Sequence, residues 1–193
     1  VSFLVLQTIP SVSQRGASAV EGLKCWVLEG RICEGSVGVR LETAKSGLVF
    51  IHEAPFFGFG MSPAQELMKR ALAEGLVDPA LPVFDHFHND MVETLMAQGL
   101  IGLGLYLSYV GFFLYLGWHS IGRHDVSDTT EFATLLIVGI MAQLSFGLSH
   151  ALMVHASSAA FFAISIAIMA GYLMNARHRQ SPPKEVTADI HNS

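Results

Sequence analysis

The feature that most restricts this chain is where it carries no charge. Between Leu95 and Trp118 there is no Asp, Glu, Lys or Arg, and the same holds from Phe132 to Ala176. A helix needs about 20 apolar residues to cross a hydrocarbon core. The first run suits one tilted span, and the second suits two spans joined by a tight turn. The polar group Ser149, His150, His155, Ser157 and Ser158 marks that turn. The expected spans are 97–118, 132–151 and 156–175. Composition agrees: 14% of the residues are charged, where soluble domains carry about 25%. The expected fold class is an all-α membrane protein with polytopic transmembrane helices. A net charge of −5 with no basic stripe argues against a nucleic-acid partner.

Orientation follows from basic residues. Arg177, Arg179 and Lys184 directly after the last span put that end in the cytoplasm. Residues 177–193 read as a cytoplasmic disordered tail. Counting back three spans places 11–94 on the outer side and 119–131 inside. Arg123 in that inner loop is outnumbered by Asp125, Asp128 and Glu131, so the orientation rests on the tail. "VSFLVLQTIP" is too short for a span and lacks the basic start of a signal peptide. Residues 1–10 therefore read as the end of a truncated transmembrane helix, in the C-terminal part of a longer protein.

The outer segment is punctuated like a set of short amphipathic helices. Leu41, Ala44, Leu48 and Ile51 repeat at helical spacing and predict one apolar stripe. Pro55 ends that helix, and "FFGFG" turns the chain. In "MSPAQELMKRALAEG", Ser62 reads as the N-cap, Pro63 as the first helical residue and Gln65 as the partner of a capping box. Gly75 reads as the C-terminal stop. Cys25 and Cys33 could form a disulfide in an oxidising compartment, but sequence does not give their separation.

The chemistry concentrates in "FDHFHNDMVETLMAQGLIG". Asn89 or Asp90 can cap a helix, and Glu93 falls in its first turn. His88 sits just before it. The helix N-terminus favours a neutral imidazole, the form that accepts a proton. Asp85, Asp90 and Glu93 push towards protonation, and the sequence alone leaves the balance open. If the helix runs unbroken, His88 and Gly99 share one face about three turns apart. Gly99, Gly102 and Gly104 then serve close helix packing. Three readings compete: interfacial polar residues, a metal site using His86, His88 and Asp85 or Asp90, and a catalytic site. No zinc-enzyme spacing supports the metal, and none is expected.

His88, Asn89, nine residues, Gly99, two residues and Gly102 resemble the signature of the bacterial O-antigen ligase family. "SVGVRLETA", with Arg40, resembles the arginine-bearing helix of the wider ligase and polymerase superfamily. "HEAPFFGFG", with Pro55, Gly58 and Gly60, resembles its Pro-x-x-Gly-x-Gly turn. The three blocks fall in order, and the resemblance covers roughly residues 1–175.

The resemblance implies a multi-pass enzyme of the bacterial inner membrane whose catalytic face is periplasmic. Residues 11–94 become a large periplasmic loop containing short amphipathic helices and the catalytic motif. The implied activity moves a polysaccharide from undecaprenyl diphosphate to the lipid A–core saccharide, with no cofactor. The implied partners are this glycan donor, the glycan acceptor and membrane lipids. His88 would be the base, and Arg40 would bind the donor diphosphate. Asn89 would orient His88 or contact a sugar; His86, Asp90 and Glu93 could support the site. His150 and His155 would be packing or rim residues. The family's earlier arginine lies upstream of Val1, so this chain alone is expected to be inactive. O-antigen polymerase and protein O-oligosaccharyltransferase activity are the alternatives within the superfamily. A non-enzymatic transport or assembly protein, and a metal-dependent hydrolase, are the alternatives outside it.

Overall fold

The computed structural model describes residues 10–33, 36–121 and 127–180. Within them the chain is helical and has no strand. Helix α1 is Pro10–Lys24, continued by a π-helical turn at Cys25–Glu29. Helix α2 is Ser36–Leu48, α3 is Ala64–Ala73, α4 is Asp90–Ser120, α5 is Ser127–Gly147 and α6 is Ala156–Gln180. The expectations for residues 1–9, 122–126 and 181–193 fall outside the described residues. Helix α6 runs through Gln180, so the first residues of the expected disordered tail are helical instead.

Three helices are long and apolar enough to cross a membrane: Asp90–Ser120, Asp128–Gly147 and Ala156–Ala176. The middle one stops at Gly147 rather than 151, leaving 148–155 as a loop. Val110, Leu116, Leu136, Ile140, Ile166 and Leu173 form the seam between the three. Leu105, Val138, Phe161 and Ile168 lie on outward faces, each more than half exposed. Such a surface suits lipid or a further apolar helix rather than water.

A second core lies outside the spans. Phe50, Leu67, Met68, Ala71, Leu81 and Phe87 pack against Met96, in the first turns of α4. Helix α3 ends at Gly75, whose φ of 68° is left-handed. The Gly75 N–H donates to Leu72 O, and the Leu76 N–H donates to Ala71 O, so the last carbonyls are satisfied as the sequence predicts. Its start differs from expectation. Pro63 occupies the cap position without a side-chain cap, and Ser62 sits at φ 54°. The backbone before α3 therefore turns too sharply for a Ser62–Gln65 capping box.

Helix α2 forms but stops at Leu48, well before Pro55, with Ile51 in a separate 3-10 turn at Ile51–Glu53, and it buries another face. Leu48 is 40% exposed, while Gly38, Glu42, Thr43, Ser46 and Gly47 are buried. The reason is steric and polar together. A Cβ on Gly47 would come within 2.7 Å of the Phe87 ring, so only glycine lets α2 approach that closely. Thr43 and Ser46 donate to carbonyls of their own helix, Val39 O and Thr43 O. Buried Glu42 accepts from Trp26 Nε1, Lys45 Nζ and the Asp78 N–H. A buried carboxylate with three donors is compensated. Cys25 and Cys33 are bonded, with Cα atoms 6.0 Å apart, tying the start of the π-helical turn to the segment before α2.

Candidate active site

The site begins with a broken helix. Gly99, inside α4, has φ 68° and ψ −165°, a region open essentially only to glycine. The unbroken helix expected from the sequence, with His88 and Gly99 on one face, is therefore not what forms. A break in an apolar helix orphans amide and carbonyl groups on both sides. The Pro55–Gly60 turn supplies their partners. The Leu100 and Ile101 N–H groups donate to Pro55 O and Phe56 O, and the Phe59 and Gly60 N–H groups donate to Met96 O and Ala97 O. A Cβ on Gly99 would overlap the Phe56 carbonyl, and one on Gly58 would lie 2.6 Å from the α4 backbone. Pro55, Gly58, Gly60 and Gly99 thus form one interlocked device. Gly102 faces the Gln98 side chain, while Gly104 faces open space, so among the described residues neither glycine meets another helix.

Asn89 caps α4. Its Oδ1 accepts from the Met91 and Val92 N–H groups, and its Nδ2 donates to Leu148 O. Asp90 is buried, and its Oδ1 accepts from the Met153 N–H at 2.9 Å. These two residues fasten loop 148–155 to the start of α4. Glu93 Oε2 accepts from the Phe87 N–H, fixing the segment that carries the histidines. A groove of about 280 Å³ runs beside Asp90, Glu93 and Thr94 to Met153.

Four histidines meet here. The rings of His86 and His88 are 4.2 Å apart, His86 and His150 5.6 Å, and His88 and His150 6.2 Å. His155 stacks on His150 at 5.3 Å. His86 is 8% exposed, with Nδ1 held 2.5 Å from Asp85 Oδ1. His88 is partly buried, with φ 55°, a left-handed value uncommon for a residue other than glycine. His150 and His155 lie at the exposed rim, as expected, but also join the cluster. Their only sequence signal was a position at the same end of the spans as His88.

Burial holds the His88 pKa below the usual histidine value, reinforced by His86, His150 and Arg40 and opposed by Asp85. This closes the balance left open by the sequence, in favour of the neutral imidazole. Asp90 and Glu93 are not among the groups that shift it. Arg40 is exposed on α2 and pairs with no carboxylate among the described residues. Its charge nevertheless reaches both His88 and His150.

A partly buried neutral imidazole within the field of an unpaired guanidinium, at the head of an apolar helix, can accept a proton beside a bound anion. The family model described as O-antigen ligase matches residues 3–107, more than half of the chain. The chain belongs to the O-antigen ligase family, whose members are glycosyltransferase-like membrane enzymes. No curated protein matches the chain.

Proposed function

We propose that this protein transfers a polysaccharide from undecaprenyl diphosphate to the lipid A–core saccharide at the periplasmic face of the inner membrane. His88 takes the proton of the acceptor hydroxyl as its oxygen attacks the anomeric carbon. The bond from that carbon to the diphosphate oxygen breaks, and the diphosphate leaves with the electron pair. Arg40 binds the diphosphate, whose charge grows in this step. The observation that carries the reading is the partly buried His88, its pKa held below the usual histidine value, in the field of Arg40 at the mouth of α4. A lipid-linked donor must present its sugar there while its tail stays in the bilayer. Asn89 acts as an orienter, since both ends of its amide serve the backbone.

Polymerisation of the same donor is the second reading, because it needs the same base and the same anion site. The lipopolysaccharide ladder of a deletion strain separates the two. A ligase leaves the lipid A–core bare while polymer accumulates on the carrier; a polymerase leaves a core bearing one repeat unit. Complementation with full-length His88→Ala lowers transfer about 10²–10⁴-fold, and Arg40→Ala also abolishes the ladder. A normal ladder from either variant at normal protein level would remove that residue's role.

A further inference from the structure

We propose that His86, His88 and His150 form a binding site for one divalent transition-metal ion of the zinc class. One ring nitrogen from each residue lies within 4.8 Å of the other two. Asp85 occupies His86 Nδ1, which leaves Nε2 as the nitrogen open to a metal. A carboxylate behind a histidine is how metal-ligating imidazoles are commonly oriented. His86 Nε2 is buried and has no hydrogen-bond partner. An unmade bond at a buried polar atom is costly, and a metal ion would make it.

The scaffold brings the three ligands near one another without help from an ion. His86 and His88 flank Phe87, which is fully buried. His150 lies on the loop fastened by the Asn89–Leu148 and Met153–Asp90 hydrogen bonds. Tetrahedral zinc with nitrogen ligands places them about 3.3 Å apart, so the rings must close inwards. Exposed His150 can supply that movement. The fourth position faces the rim, where a water or His155 would complete the set, as in three-histidine zinc sites.

This inference departs from the expectation of a metal-free site, and binding itself does not depend on the catalytic reading. Its consequence does: a metal-bound His88 has no lone pair for a proton, so occupancy opposes transfer. The test uses the full-length protein in nanodiscs, purified without a polyhistidine tag. Zn²⁺ is titrated by calorimetry, and Co²⁺ serves as the optical probe. The expected result is one ion per chain, with tetrahedral Co²⁺ absorption that Zn²⁺ displaces. His86→Ala and His150→Ala each weaken binding at least about ten-fold, and Asp85→Asn weakens it about 10–100-fold. His52→Ala, at an exposed residue outside the cluster, leaves it unchanged. His150 is exposed, so its variant remains informative if loss of buried His86 unfolds the protein. Absence of saturable one-to-one binding, or unchanged affinity in His150→Ala, overturns the site. One-to-one binding with undiminished transfer upholds the site and overturns the role of His88 as the base.

Discussion

His88 is governed by what surrounds it more than by its neighbours in sequence. Its pKa is lowered first by burial, then by His86, His150 and Arg40. In the proposed mechanism the base is the neutral form, so a lowered pKa extends activity towards acid. Initial rates of transfer between pH 5 and 8 are expected to fall only below the usual histidine value of about 6.5. His150→Gln removes one group that opposes the imidazolium, so the acid limb should move to higher pH. An acid limb at or above the ordinary value, or one that moves down in the variant, contradicts this electrostatic account. Asp85, Asp90 and Glu93 show why sequence proximity misled. All three lie within a few residues of His88, yet only Asp85 pulls on it. The other two carboxylates sit at the Met153 and Phe87 amides and are not among the groups that shift its pKa.

The element that decides the architecture of the site is α4, and its break is built from two distant motifs. Two glycine motifs that look separate in the sequence interlock through four backbone hydrogen bonds around Gly99. Gly99→Ala would both overlap the Phe56 carbonyl and force a side chain into a glycine-only conformation. A loss of about 3 kcal/mol or more is expected, seen as a lower melting temperature in detergent and loss of transfer. Gly104→Ala fills open space and should leave both unchanged. Equal behaviour of the two variants would mean that the break is not held by this packing. Helix α2 teaches a related lesson. A regular apolar stripe was visible, yet the buried face is the one with glycines and internally bonded polar groups. Close approach to Phe87 outweighed the burial of Leu48.

At the scale of the whole molecule there are two cores, one between the spans and one outside them. They share α4, so disturbance of the outer core reaches the site through Met96 and Phe87. The Cys25–Cys33 bond closes a short loop at the edge of the outer unit. A loop of this size gives about 2–3 kcal/mol by restricting the unfolded chain. Reduction, or Cys33→Ser, should therefore lower the unfolding temperature of the outer unit. The apolar seam among α4, α5 and α6 should be untouched. Hydrogen exchange measured segment by segment checks this: protection should fall in 25–87 and hold in 105–118. Uniform loss across both segments would show that the cores unfold as one.

The sequence by itself determined the features that depend on local chemistry. Uncharged runs required membrane-spanning helices, because lipid does not solvate charge. Asn89 started one helix and Gly75 stopped another, because a cap needs only its own few residues. The spacing of His88, Gly99 and Gly102, with Arg40 and the Pro55 turn, pointed to the family. Tertiary structure alone decided the rest. It put a break at Gly99, because the carbonyls and amides that satisfy the break come from Pro55–Gly60. It chose the buried face of α2, because that choice belongs to Phe87. It brought His150 to His86 and His88, because a loop between two spans is fastened by Asn89 and Asp90. Each of these depends on groups far apart in the chain meeting at hydrogen-bond or van der Waals distance, which no local pattern encodes.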